Sequence, residues 1–210
     1  MIKAHDLRVV LGGSEILRGV SIEVPRGTAV ALVGPNGAGK TTTLRSIMGL
    51  VKYKGRVELD GRPIDGLKPH ERAALGLGLS PEDRRLFPNL TVRENILLPL
   101  RALKLREDRL ELVLSLMPVL RELLEKRAGL LSGGQQKMVA LARAMVVGTS
   151  AVLLDEVFEG LSPKMRDDLA GVVKEFISTT GAAALIAESN PSYVRFAQAI
   201  KRIERGRITG

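Results

Sequence analysis

Cysteine and tryptophan are absent from this 210-residue chain. Without cysteine there is neither a disulfide framework nor a thiolate metal site. Aromatic residues make up only 3% of the sequence, so base-stacking platforms are scarce and nucleic acid is not the expected partner. The two histidines, His5 and His70, stand too far apart for a metal-ligand spacing. Asparagine and glutamine together number seven, a bias seen in heat-adapted proteins. No apolar run approaches the roughly 20 residues a membrane-spanning helix needs. The opening MIKAHDLRVV carries charges where a secretory leader would be apolar. The expectation is a soluble, cytoplasmic chain.

The composition that remains is globular, 45% hydrophobic and 26% charged, and sufficient for a buried core. The net charge of +9 suits phosphate ligands, anionic lipid, nucleic acid or acidic proteins without choosing among them.

Three segments carry chemistry. Val30–Val33 is a short apolar run that reads as a buried strand. Gly34-Pro35-Asn36-Gly37-Ala38-Gly39-Lys40-Thr41 follows, then a helical stretch from Thr42 to Met48. Strand, glycine-rich loop and helix is the context of a phosphate loop. Its glycines turn backbone N–H groups inward around phosphate oxygens, and the helix start adds its positive dipole end. Lys40 supplies a cation for the β and γ phosphates, and the Thr41 hydroxyl suits Mg²⁺.

Ala151–Leu154 is a second buried strand, ending in Asp155-Glu156. Acids at the carboxyl end of a parallel strand lie beside the phosphate loop if the two strands are neighbours. Asp155 then belongs to the Mg²⁺ shell, and Glu156 orients or deprotonates the attacking water.

The third segment is Leu131-Ser132-Gly133-Gly134-Gln135-Gln136, which opens an amphipathic helix with Met138, Leu141, Ala142 and Met145 on one face. Ser132 reads as its N-cap, with accessible amides at Gly133 and Gly134. This is a second anion-ready helix start. With Lys40 already on one nucleotide's γ phosphate, a natural ligand for it is the nucleotide of another subunit.

LSGGQ between a phosphate loop and a hydrophobic strand ending in DE resembles the ATP-binding-cassette (ABC) family, with Ser132 lying 23 residues before Asp155. The resemblance covers the whole chain. It implies an α/β fold: a P-loop NTPase (RecA-like) core, a small antiparallel β subdomain and a helical subdomain inserted at 91–147, all within one nucleotide-binding domain, 1–210. It implies ATP and Mg²⁺ as ligands, with residues 34–42 and Leu11 around the nucleotide. It also implies a head-to-tail dimer, homo- or heteromeric, in which Ser132, Gly133, Gly134 and Gln135 of one copy close over ATP held by the other. Gly160–Pro163 would meet the partner's phosphate loop.

Pro81–Asn95 and Pro118–Gly129 resemble the ATPase subunits of branched-chain amino acid importers. Glu82 stands where most cassettes carry a γ-phosphate-sensing glutamine, and the resemblance gives it Mg²⁺ or its water as ligand. The implied partners are transmembrane permease subunits, with the chain peripheral on the cytoplasmic face of the membrane. Two positions depart from the family pattern. Leu11 replaces the aromatic that stacks on adenine, and Ser189 replaces the histidine after the last core strand, where this branch often has glutamine. Two further readings stay open: a soluble cassette ATPase acting on nucleic acid or ribosomes, and an ATP-binding regulatory cassette with weak hydrolysis.

Local patterns predict strands over Leu7–Leu11, Val20–Val24, Thr28–Val33 and Gly55–Leu59, grouped in the small antiparallel sheet. Helices broken by Pro99 and Pro118 are predicted across 91–147, and a helix bearing Met165, Leu169, Val172, Val173 and Phe176 after Asp155. A buried strand over Ala182–Ala187 and a closing hairpin around Glu204-Arg205-Gly206 complete the expectation.

Overall fold

The computed structural model describes residues 1–209. Among these residues, ten strands and six α-helices form two sheets with helices packed on them. The first sheet has the order β2-β1-β4-β5, from β1 (Ile2–Leu11), β2 (Ser14–Val24), β4 (Lys54–Leu59) and β5 (Arg62–Pro63). All of its pairings are antiparallel. Along β2, buried and exposed residues alternate near the end of the strand, the signature of a sheet wet on one face.

The second sheet has the order β10-β9-β3-β8-β7-β6. Its parallel members are β3 (Ala29–Val33), β6 (Leu77–Ser80), β7 (Ala151–Asp155), β8 (Ala183–Glu188) and β9 (Ala199–Glu204). β10 (Arg207–Ile208) turns back on β9. Every residue of β3, β7 and β8 is buried, as continuous apolar runs in a doubly covered sheet require. Alternate residues serve two cores. Ala29, Ala31 and Val33 face the helical side. Val30 and Leu32 face the side shared with the antiparallel sheet.

One strand expectation changes, and one condition is not met. The segment predicted as Thr28–Val33 does not join the antiparallel sheet; as β3 it pairs in parallel with β8 and β9. Its unbroken apolar run has no polar face to offer to a sheet wet on one side. Nor are the strands ahead of Lys40 and Asp155 neighbours, because β8 lies between β3 and β7.

The helices are α1 (Lys40–Met48), α2 (Pro69–Ala74), α3 (Val92–Ala102), α4 (Arg109–Leu116), α5 (Gly133–Met145) and α6 (Pro163–Thr180). Pro118 opens a 3₁₀ helix after α4, as expected of a break. Pro99 instead lies inside α3. Its ring removes one amide donor, but Ile96, Leu97 and Leu100 around it are buried in the core, and that packing holds the helix across the gap. A capping box between Thr91 and Glu94 fixes the start of α3.

Candidate nucleotide site

Three parallel strands end at one place. β3 leads into the 34–39 loop, β7 into Glu156, and β8 into Ser189. The loop needs left-handed backbone at Gly37 (φ 80°) and Gly39 (φ 111°), which glycine adopts at no steric cost. Gly39 is the N-cap of α1 and accepts the Thr43 amide at 2.9 Å. Residues 40–42 therefore sit on the first turn of a helix whose dipole and unpaired amides point into the loop.

Lys40 turns back over the loop. Its Nζ donates to the Gly34 carbonyl at 2.8 Å, the Pro35 carbonyl at 3.2 Å and Ser189 Oγ at 3.0 Å. It also pairs with Glu156 Oε1 at 3.1 Å, with both side chains almost wholly buried. Ser189 completes the cluster. Its single hydroxyl proton is shared between Glu156 Oε1 at 2.7 Å and Asn36 Oδ1 at 2.9 Å, and its N–H donates to Glu156 Oε2 at 3.2 Å. So Ser189, though short, touches the loop, the lysine and the acid at once. The intervening strand explains this: β8 delivers residue 189 between the other two strand ends.

The Thr41 hydroxyl donates to Asp155 Oδ1 at 3.1 Å. Burial pushes the Asp155 carboxyl up to about 6, opposed by the Thr41 bond and reinforced by the charges of Glu82 and Glu156. Burial acts in the same sense on Glu156, but hydrogen bonds from Glu188, Ser189 and Lys40, and the charge of Lys40, outweigh it and hold Glu156 below the usual carboxylate range. Among the described residues no three His, Asp or Glu side chains converge as a metal cluster. The hydroxyl of Thr41 with the carboxylates of Asp155 and Glu82 nevertheless fits Mg²⁺, which needs one or two carboxylates besides phosphate and water.

A cavity of about 460 Å³ lies over the loop, lined by Leu11, Ile16, Asn36, Gly37, Gly39, Lys40, Thr41, Thr42, Glu82 and Glu156. Leu11 is 47% exposed at its edge. Ile16 was not anticipated, and only the pairing of β1 with β2 places it there. A larger groove, about 910 Å³, lies on the antiparallel sheet between Lys3, Glu23 and Arg56 and contains none of the phosphate-loop residues. The chemistry therefore lies at the smaller one.

Ser132 caps α5, accepting the Gln135 amide at 3.3 Å, and the Gln135 side chain returns the bond to the Ser132 N–H at 3.0 Å. This is a capping box. Ser132 and Gly133 are exposed, and no intrahelical carbonyl reaches the amides of Gly133 and Gly134. None of residues 132–135 lines the cavity over Lys40. Ser162 caps α6 through the Met165 amide at 3.3 Å, leaving Gly160 exposed ahead of it.

The loop that carries Glu82 is tied to α5. Arg84 donates to Gln136 Oε1 at 2.8 Å, and Arg143 donates to the Arg85 carbonyl at 2.9 Å. Arg84 and Arg85 have φ of 60° and 46°, two consecutive non-glycine residues in the left-handed region. Phe87 is 49% exposed, with the Arg143 guanidinium 5.9 Å from its ring centroid.

A glycine loop running into a helix beside such acids is the site of a P-loop nucleotide-binding protein. The family model for the ABC transporter matches residues 17–159, and the chain belongs to that family. It is 37% identical over 194 residues to a "Probable ABC transporter ATP-binding protein" of Azorhizobium caulinodans, covering 90% of this chain and 68% of that protein. It is 36% identical to the "Probable branched-chain amino acid transport ATP-binding protein LivF" of Archaeoglobus fulgidus, covering 90% and 82%. It is also 36% identical to the "Lipopolysaccharide export system ATP-binding protein LptB" of Acidithiobacillus ferridurans, covering 90% and 78%. Among solved structures, the dimeric structure of MJ0796, a bacterial ABC transporter cassette, superposes with a TM-score of 0.89 at 26% identity, over 100% of this chain and 97% of that one. So does a dimeric post-hydrolysis state of that cassette bound to ADP and Pi, with a TM-score of 0.89 at 25% identity, over the same shares. The chain is an ABC-type ATPase. No helix among the described residues is long and apolar enough to cross a membrane.

Proposed function

We propose that this chain is the ATP-hydrolysing subunit of an ABC importer for branched-chain or other amino acids, driven by closure of a cassette dimer. The observation that supports dimer closure is the split between two phosphate-directed surfaces. One surrounds Lys40; the other is the capped start of α5, exposed and outside that cavity. Each suits one side of a nucleotide, so a second copy or a second cassette completes the site. The helical segment 91–147 acts as an inserted subdomain that carries the α5 start.

In this reading the loop amides and Lys40 bind the β and γ phosphates. The Glu156 carboxylate takes a proton from a water as that water bonds to the γ phosphorus. The bond from phosphorus to the β–γ bridging oxygen breaks, and ADP and phosphate leave. Thr41, Asp155 and Glu82 would hold Mg²⁺, which would supply positive charge against that of the phosphates. Ser189 ties the loop to Glu156 through the contacts above. Leu11 and Ile16 give the base an apolar wall without stacking.

The amino-acid assignment draws on Glu82 within Pro81–Asn95 and on relatives named for branched-chain transport. Other relatives are named for sn-glycerol-3-phosphate import and lipopolysaccharide export. The exposed Phe87 beside Arg143 suits contact with a permease subunit at the cytoplasmic face of the membrane.

Glu156→Gln should bind ATP, fail to hydrolyse it, and accumulate as a dimer on size exclusion with Mg-ATP. A monomer at saturating nucleotide would count against dimer closure. Leucine uptake should fall in a strain lacking the gene, and unchanged uptake would remove the amino-acid assignment.

A further inference from the structure

Two irregular segments leave the strand ends beside the phosphate loop. One runs from Glu156, after β7, to the start of α6. The other runs from Ser189, after β8, through a 3₁₀ turn at Pro191–Val194. Side chains lace them together. The buried Phe158 ring meets Phe196 edge to face, with centroids 5.9 Å apart and planes at 85°. The Phe158 amide donates to Glu188 Oε1 at 2.9 Å. Arg166, early in α6, lays its guanidinium over the Tyr193 ring, 3.9 Å from the centroid. Its Nη2 donates to the Leu161 carbonyl at 3.2 Å, while its Nε is buried with no acceptor. A cation lacking that hydrogen bond depends on the ring face for its attraction. The chain has only four phenylalanines and two tyrosines, and Phe158, Tyr193 and Phe196 all stand at this seam, outside the strand ladder.

The two segments serve different surfaces. Ser189 engages Lys40, Asn36 and Glu156, and Tyr193 is held close behind it, its amide donating to the Asn190 carbonyl at 3.1 Å. Ahead of Arg166 lies the Gly160–Pro163 loop, with Gly160 exposed. That loop leans on the α5 start: a Cβ on Gly134 would fall 2.3 Å from Met165 Sδ and 3.5 Å from Leu161 Cδ2. Lys137, further along α5, donates to the Glu156 carbonyl at 2.8 Å and to the Glu159 carbonyl. The surface read above as facing a second copy therefore includes residues 160–163.

We propose that Arg166 is a positioning residue for assembly of the dimer. Stacked on Tyr193 and bonded to the Leu161 carbonyl, it clamps the Gly160–Pro163 loop to the Ser189 turn. The loop offered to the second copy is thus held by the same segment that touches Lys40 and Asn36. Arg166 contacts no phosphate-loop residue and acts through the two turns. The inference rests on the dimer reading proposed above.

The test uses the whole chain carrying Glu156→Gln, alone and with Tyr193→Phe, Tyr193→Leu or Arg166→Met. Hydrogen exchange without nucleotide, read by mass spectrometry, addresses the clamp by itself. Tyr193→Leu should speed exchange across residues 157–166 about fivefold or more, although the substitution lies in the other segment. Tyr193→Phe keeps the ring and should match the parent. Unchanged exchange in Tyr193→Leu, or equal loss in Tyr193→Phe, would overturn the clamp. Sedimentation velocity at saturating Mg-ATP then reads assembly. Tyr193→Leu and Arg166→Met should need about tenfold more protein to dimerise, while binding a fluorescent ATP analogue within about twofold of the parent. Dimerisation at the parent's concentration in both would sink the role of Arg166 alone. A parent that stays monomeric would sink the dimer reading, and this proposal with it. Should Arg166→Met fail to fold, the two variants at the half-buried Tyr193 decide.

Discussion

The Lys40–Glu156 pair couples the phosphate loop to the end of β7, and its strength can be measured with no nucleotide present. The charged atoms are 3.1 Å apart and the side chains 5% and 7% exposed. At an effective dielectric of about 20 that separation gives a gross attraction of about 5 kcal/mol. Desolvation of both ions offsets much of it, yet removing one partner of a buried pair costs about 3–5 kcal/mol, because the other charge is left uncompensated. Lys40→Met should lie at the lower end, near about 3 kcal/mol, since Ser189 still donates to Glu156 through its hydroxyl and its amide. For a chain this long that lowers Tm by about 6–12 °C. Glu156→Gln should cost less, because the amide oxygen still accepts from Lys40 and Ser189. In Lys40→Met/Glu156→Gln no carboxylate is stranded, so the double variant should be about 1.5–2 kcal/mol more stable than the sum of the single effects. Urea unfolding followed by circular dichroism reads all four proteins. Additivity within about 0.5 kcal/mol would refute the coupling. The same Lys40→Met variant should lose ATP in equilibrium dialysis, and unchanged affinity would remove Lys40 from the phosphate site.

Phe87→Ala should leave the ATPase rate of the isolated subunit unchanged and weaken its recovery with permease subunits, since the ring is half exposed; equal loss of both would make Phe87 a core residue. Gly78→Ala should destabilise by about 1–3 kcal/mol in urea, because a Cβ there would lie 2.1 Å from the Ala144 carbonyl oxygen of α5. A wild-type midpoint would refute that packing. Burial raises the folded Glu188 carboxyl to about 9, whereas in the unfolded chain it titrates near its ordinary value of 4.5. Stability should therefore fall as pH rises through that window and level off above it. Glu188→Gln should flatten this limb in Tm scans, and an unaltered slope would assign it to other groups.

The phosphate loop, Asp155-Glu156 and the α5 cap were legible because each depends on local order: a strand, then a special turn, then a helix start. The strand end at 33, the helix end at 48 and the cap at 132 follow from periodicity and capping. What the sequence hid depends on which strands lie side by side. A buried apolar run reads alike wherever it sits in the sheet, so β3 was misgrouped and β8 was not foreseen between β3 and β7. The same blindness concealed Glu188 and Lys137. Glu188 precedes Ser189 and Lys137 follows Gln136 in the chain, but that Lys137 donates to the Glu156 carbonyl and Glu188 accepts the Phe158 amide is set by the packing of α5 and β8 around the end of β7. Pro99 shows the opposite error. A local rule predicted a break, and the burial of Ile96, Leu97 and Leu100 overrode it.

The consecutive left-handed residues Arg84 and Arg85 make the Glu82 loop a cocked spring. Each such residue with a Cβ sits about 1–2 kcal/mol above its relaxed backbone, and three contacts latch the loop there: Arg84 to Gln136, Arg143 to the Arg85 carbonyl, and Arg85 to Asp83 at 2.8 Å. A protein surface that competes for Arg84 or Arg143 therefore has to undo only a latch. With the latch undone, relaxation of those two residues would be available to displace the loop that carries Glu82.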